Sequence, residues 1–158
     1  MSTLEYAREK IIYPAYREVL PGKFASLGAT VMLLAIGLQE SRFEHRKQIG
    51  GPAMGFWQFE RGGGVKGVLT HESSARHAKA ICALRGVPAT LDGVYRTLAD
   101  DDILAAGFAR LLLWTDARPL PAVGDADGAW AYYLRNWRPG KPHPQTWDSL
   151  YKQAMEAI

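Results

Sequence analysis

The stretch "LGATVMLLAIGL" (Leu27–Leu38) carries no charge and is interrupted in its apolar character only by Thr30 and small residues. Wound at helical period, it shows apolar side chains on nearly every side, so the helix it forms must be enclosed by other segments. It is too short to cross a bilayer. A chain of 158 residues is long enough to wrap such a helix in one self-sufficient core. The run ends in Gln39-Glu40-Ser41, which sets a carboxylate directly behind apolar residues. With a helix over Phe24 to Ser41, Glu40 lies in the last turn, where exposed carbonyls disfavour negative charge and raise a carboxyl pKa. Burial against Leu38 and Phe43 raises it further. A carboxyl group protonated near neutral pH is the general acid that glycosidic bond cleavage needs. The plainer alternative is a solvated glutamate at a helix end.

Helical spacing dominates elsewhere. "TLEYAREKIIYPAYREVL" reads as one apolar face interrupted or kinked at Pro14 and closed by Pro21-Gly22. "SSARHAKAICALRGV" predicts a helix with Ser73 or Ser74 as N-cap and Gly86 as its stop. "DDILAAGFARLLLWT" predicts another, with Asp100 to Asp102 suited to its positive end. "DADGAWAYYLRNW" and "TWDSLYKQAMEAI" complete the set. Phe43 to Gly67, rich in glycine, is predicted non-helical, with a possible short hairpin between Gly51 and Val68. The expected fold is mainly α, a single domain over residues 1–158, with a glycine-rich loop beside the Glu40 helix.

Cys82 is the one cysteine, so no intrachain disulfide forms, and its Ala/Leu-rich setting predicts a small buried hydrophobe. The net charge of +3 suits an anionic partner but falls short of the dense basic tracts of nucleic-acid binders. The first residues lack the basic start, apolar centre and small-residue cleavage site of a secretory signal, and no segment is expected to insert into a membrane. "RGGGVKG" (Arg61–Gly67) lacks the Gly-Lys-Ser/Thr ending of a phosphate loop and is expected to form a flexible rim. His45, His71, His77 and His143 fall at no metal-ligand spacing, so neither metal nor cofactor is expected.

"QESRF" followed by "AMGFWQF" resembles the signature of the lysozyme-like soluble lytic transglycosylase domains. In that family a helix ends in Glu-Ser with an aromatic shortly after, and a loop then reads Ala-x-Gly, two apolar residues and Gln. These fall here on Glu40, Ser41, Phe43, Ala53, Gly55, Phe56, Trp57 and Gln58. A later block of the family, Ala-x-Tyr-Asn-x-Gly, is met by Ala131 and Tyr133, with Leu134 where Asn is usual. A helix with an Asn-Ile-x-x-Gly pattern is met loosely by Ile103, Leu104 and Gly107. Pro52 stands where the family has Gly before the alanine, and Phe59-Glu60 replaces its apolar-proline pair. The similarity spans Phe24 to Pro139, densest in the first third.

The resemblance implies a lysozyme-like fold and cleavage of peptidoglycan between N-acetylmuramic acid and N-acetylglucosamine. It implies Glu40 as the sole acid/base, Ser41 helping to hold it, Gln58 lining the sugar groove, and Tyr133 reaching the carboxyl, with Tyr132 in reserve if the register slips. One carboxylate suffices for such a reaction, because the sugar's own N-acetyl group and C6 hydroxyl serve as nucleophiles and an anhydro ring forms. A hydrolysing muramidase instead activates water, often through a second carboxylate; Glu60, which shares the loop with Gln58, is the foremost candidate. Trp57, Trp130, Tyr132, Tyr133, Trp137 and Trp147 offer faces for stacking on sugars, although several are needed in the core. Arg135, Arg138, Lys141 and His143 suit the carboxylates of peptide stems. The expected partner is thus the glycan strand of the bacterial wall, with no nucleic acid, met by a monomer delivered by a phage-type or other route. A catalytically silent wall-binding or phage structural domain is the rival reading from another class.

Overall fold

A computed structural model describes residues 1–158, mainly helical and without a β-strand. Ser2 opens the first helix with a capping box: Glu5 N donates to Ser2 Oγ (3.1 Å) and Ser2 N to Glu5 Oε2 (2.7 Å). Helix α1 (Thr3–Tyr6) runs through a π-helical stretch (Ala7–Ile12) into α2 (Tyr13–Glu18). The break expected at Pro14 is replaced by this wider winding. Tyr13 N reaches back to Arg8 O, so the hydrogen-bond ladder changes register just before the residue that cannot donate.

The apolar run becomes α3 (Leu27–Ser41). It begins later than the apolar pattern predicts, because Ser26 Oγ accepts from Ala29 N (3.0 Å) and fixes the start. Val31 through Ile36 are each 2 % exposed or less, so this helix is the axis of the core. Each enclosed Val, Leu, Ile or Met side chain contributes about 1.5–3 kcal/mol relative to exposure.

Arg61–Val65 is π-helical and continues into α4 (Lys66–Thr70). The non-helical reading of this segment is therefore corrected: Gly64 lies where an added Cβ would sit 2.9 Å from the Phe59 ring, so packing against Phe59 outweighs the low helix preference of glycine. The hairpin is reduced to two isolated antiparallel bridges, Lys47 to Met54 and Met54 to Phe59. Helix α5 (Ala75–Arg85) ends at Gly86 with φ of +67°. Ser74 precedes it, but its hydroxyl donates to Val68 O (2.7 Å) instead of capping the helix. A short helix that the periodicity did not reveal, α6 (Leu91–Thr97), is capped by Thr90.

Asp101 accepts from Ile103 N and Leu104 N to start α7 (Asp102–Trp114), and also takes a forked pair from Arg85 (2.8 and 3.1 Å). Helix α8 (Ala126–Trp137) begins at Asp125 and α9 (Pro144–Glu156) follows. Helix α9 packs along α3, with the first helix and α7 on its other sides. Cys82 is buried. No helix is long and apolar enough to cross a membrane.

Candidate active site

Helix α3 stops because Arg42 and Phe43 both take left-handed conformations (φ of 56° and 54°). Arg42 closes the last turn twice, its N–H on Leu38 O (3.0 Å) and its guanidinium on the carbonyls of Leu38 and Gln39. The turn folds the Phe43 ring onto Gly37, where an added Cβ would lie 2.0 Å from it. Glycine is required there by close approach. The ring then meets Phe56 and Trp57 edge to face (5.4 and 5.5 Å).

Ser41, fully enclosed, ties this turn to the following loop. Its Oγ lies 2.7 Å from Phe56 O and 3.2 Å from Gly37 O, and it accepts from Phe43 N (3.1 Å). Ser41 thus positions the backbone on either side of Glu40 and has no face toward a ligand. The loop is drawn tight by the paired bonds between Met54 and Phe59, both 2.9 Å. Gly55 (φ of +80°) begins the turn with only 3.1 Å between its would-be Cβ and Leu98 O.

The loop presents Gln58 to a cleft of about 640 Å³ that Glu40, Tyr133 and Trp137 also line. Gln58 Nε2 donates to Gly55 O (2.9 Å), which leaves its carbonyl oxygen for a ligand hydroxyl. Glu40 is half-buried in this cleft, and Tyr133 donates its hydroxyl to Glu40 Oε1 (3.2 Å). Burial pushes the Glu40 pKa up to about 7; the Tyr133 hydrogen bond pulls it down, and the charge of Glu60 adds a further rise. Near neutral pH the group is populated in both protonation states, as an acid/base requires.

The two adjacent tyrosines part company. Successive residues on a helix point about 100° apart. Tyr133 faces α3 and stacks on Trp147 (5.4 Å, 10° between planes). Tyr132 faces α7 and donates to Leu113 O (2.8 Å), so it is corrected out of the site. Trp57 is corrected likewise: it is 1 % exposed, with Nε1 on Leu33 O (2.9 Å), and serves the core. Trp147 is buried too. Trp137 remains half-buried at the cleft, held by its Nε1 on Trp57 O (2.9 Å). Among the expected stacking residues it is the one with an available face there.

Glu60 lies at the boundary between the cleft and a second hollow of about 440 Å³. Trp137 and Arg138 border both, so the two hollows adjoin there. Gly62, Gly63 and Gly64 line the second hollow from their helical turn, opposite Arg135 and Asn136. Arg138, Lys141, His45 and His143 rim the first.

Gln39 escaped sequence reasoning. Its Nε2 donates to His143 O (3.0 Å) and its Oε1 accepts from Thr146 (3.1 Å), which pins the basic rim to α3. Its place next to Glu40 was the available signal. No group of three or more His, Cys, Asp or Glu side chains converges as a metal site. Comparison of the chain with protein-family models, with curated proteins and with solved structures found no match.

Proposed function

We propose that this chain is a peptidoglycan-cleaving lytic transglycosylase with a lysozyme-like fold and Glu40 as its single acid/base. The observation that carries the reading is the half-buried Glu40 on the wall of an open cleft, its carboxyl held by Tyr133 and its pKa raised to about 7. In the first step Glu40 gives its proton to the oxygen leaving between N-acetylmuramic acid and N-acetylglucosamine. The carboxylate so formed accepts the proton of the sugar's C6 hydroxyl as that oxygen closes on C1, and the acid is restored. Tyr133 stabilises the carboxylate between the two steps. Gln58 offers an acceptor and Trp137 a flat face to the sugar, while the basic rim suits the carboxylates of peptide stems. A cleft with a second hollow adjoining it at Trp137 suits a polymer.

One observation favours hydrolysis as the second reading: Glu60 borders the same cleft closely enough for its charge to be felt by Glu40. In that role it would activate water. Digestion of purified peptidoglycan by the wild type and by Glu40→Gln, with mass spectrometry of the released fragments, tests both. Anhydro products that vanish in the variant are expected. Reducing ends would move the reaction to hydrolysis. Equal release by both proteins would remove Glu40 from its role.

A further inference from the structure

Helix α7 carries one charged residue within "ILAAGFARLLLW", and it is buried. Arg110 is 4 % exposed and belongs to no ion pair. Its Nε donates to Phe24 O (2.8 Å), and its guanidinium lies 5.3 Å from the centre of the Phe24 ring. Its two terminal nitrogens have no acceptor in the protein. No fully enclosed side-chain nitrogen or oxygen in the chain lacks a hydrogen-bond partner. Those two nitrogens therefore reach accessible space, and Arg110 lines a cavity of about 580 Å³.

This cavity shares no residue with the Glu40 groove. Its walls include Leu113, Trp114, Leu120 and Tyr132, which give it a mainly apolar surface, and Arg118 stands exposed at its edge. Lys23 Nζ lies 5.1 Å from the Trp114 ring and adds positive potential nearby. The one carboxylate in the wall, Asp116, already accepts from Arg135 Nε (3.1 Å), Asn136 Nδ2 (2.9 Å) and Arg118 N (3.0 Å) and is ion-paired with Arg135. The two tyrosines near Arg110 are engaged elsewhere, Tyr132 donating to Leu113 O and Tyr16 bonded to Thr30 Oγ1 (2.9 Å). The pocket thus holds a largely buried cation whose free donors open onto the cavity and which no carboxylate of the protein pairs.

A guanidinium cannot relieve burial by shedding its proton in the physiological range, and an uncompensated buried charge is costly. Its fork of N–H donors matches the two oxygens of a carboxylate. The geometry points to a second binding site, distinct from the Glu40 cleft, for a small carboxylate that carries an aromatic or aliphatic body. The carboxylate pairs with the terminal nitrogens of Arg110, and the body lies against Trp114, Leu113 and Leu120. This inference does not rest on the proposed function.

A matched pair of probes, 4-phenylbutyrate and 4-phenylbutanol, tests it by calorimetry with the full chain throughout. The wild type should bind the acid about tenfold tighter than the alcohol, the difference a charge-assisted contact makes. Arg110→Met should erase that preference while binding of the alcohol persists, and Arg110→Lys should keep part of it. Arg118→Ala, at the exposed edge, should weaken the acid only slightly. Equal binding of acid and alcohol by the wild type, or binding of neither, would overturn the proposal without reliance on any variant. So would an unchanged preference in Arg110→Met.

Discussion

Glu40 and Arg110 are ionisable groups set into the two most apolar helices of the chain, and they meet burial in opposite ways. Glu40, at the end of α3, can become neutral: desolvation moves its pKa up to about 7, within reach of neutral pH. Arg110, within α7, is also disfavoured as a charge by burial, and its pKa falls, but a guanidinium stays protonated in the physiological range. One site therefore stores its electrostatic strain as a readily exchanged proton. The other holds a permanent charge that only an outside anion can neutralise. The first arrangement suits acid/base chemistry and the second suits binding.

The sharpest way to break this contrast is Glu40→Gln. Wall cleavage should fall on the order of a thousandfold or more, because the amide keeps the shape without the proton. The same variant should gain stability, and only at higher pH. A carboxyl whose folded pKa lies above its unfolded value of 4.5 favours folding while protonated, and that contribution fades as pH rises from 4.5 through about 7. Above that range the wild type carries a destabilising charge of about 3 kcal/mol that the variant lacks. Denaturant melts at several pH values should show the two proteins alike near pH 4.5 and separated above 7. Arg110→Met should show a stability difference that is flat across the same window. A slope there would end the comparison.

Gly37→Ala tests how firmly the Glu40 end is held. An added methyl 2.0 Å from the Phe43 ring must displace it from its place against Phe56 and Trp57. Overpacking of that kind costs roughly 2 kcal/mol. Thermal melts should report the loss and wall cleavage should drop with it, whereas 4-phenylbutyrate should still bind the folded fraction at Arg110. Loss of both functions in the folded fraction would mean that the two sites are coupled.

What the sequence revealed of these two sites follows from the range of the forces involved. Helix α3, its carboxylate and the tight loop to Gln58 are local: an apolar run, a charge at its end, and a glycine that turns the chain. Those features can be read in order along the chain, as can α7, α8 and α9. The choice between Tyr132 and Tyr133 turns on one residue of helical register, and only the contact with Glu40 separates them. Trp57 and Trp137 are alike by composition, yet one hydrogen-bonds into α3 and the other opens to the cleft. That distinction is set by long-range packing. The helical turn over Gly62–Gly64 runs against local preference and exists because Phe59 needs the space. Arg110 left a visible sign, a lone cation amid leucines, but the cavity at its end is made by segments far away in sequence.

Tyr133→Phe refines the account of Glu40. The hydroxyl stabilises the carboxylate, so its loss should slow cleavage roughly tenfold or less. Without it the Glu40 pKa rises further, and the descending limb of the pH–rate profile should move to higher pH. A limb that stays in place would mean that another group sets the acid's pKa.

Glu60→Gln should have the smallest effect and the opposite sign. Removing the neighbouring negative charge makes the Glu40 carboxylate easier to form, so the descending limb should move slightly to lower pH. Glu60 is exposed, so added salt should shrink the shift by screening, which a change in burial would not do. A transglycosylase should otherwise keep its rate, since the sugar supplies its own nucleophile. A collapse of the rate in Glu60→Gln would instead make Glu60 a working base on water. The groove would then hold two carboxylates with divided roles, and the contrast with Arg110 would be between a catalytic pair and a single fixed charge.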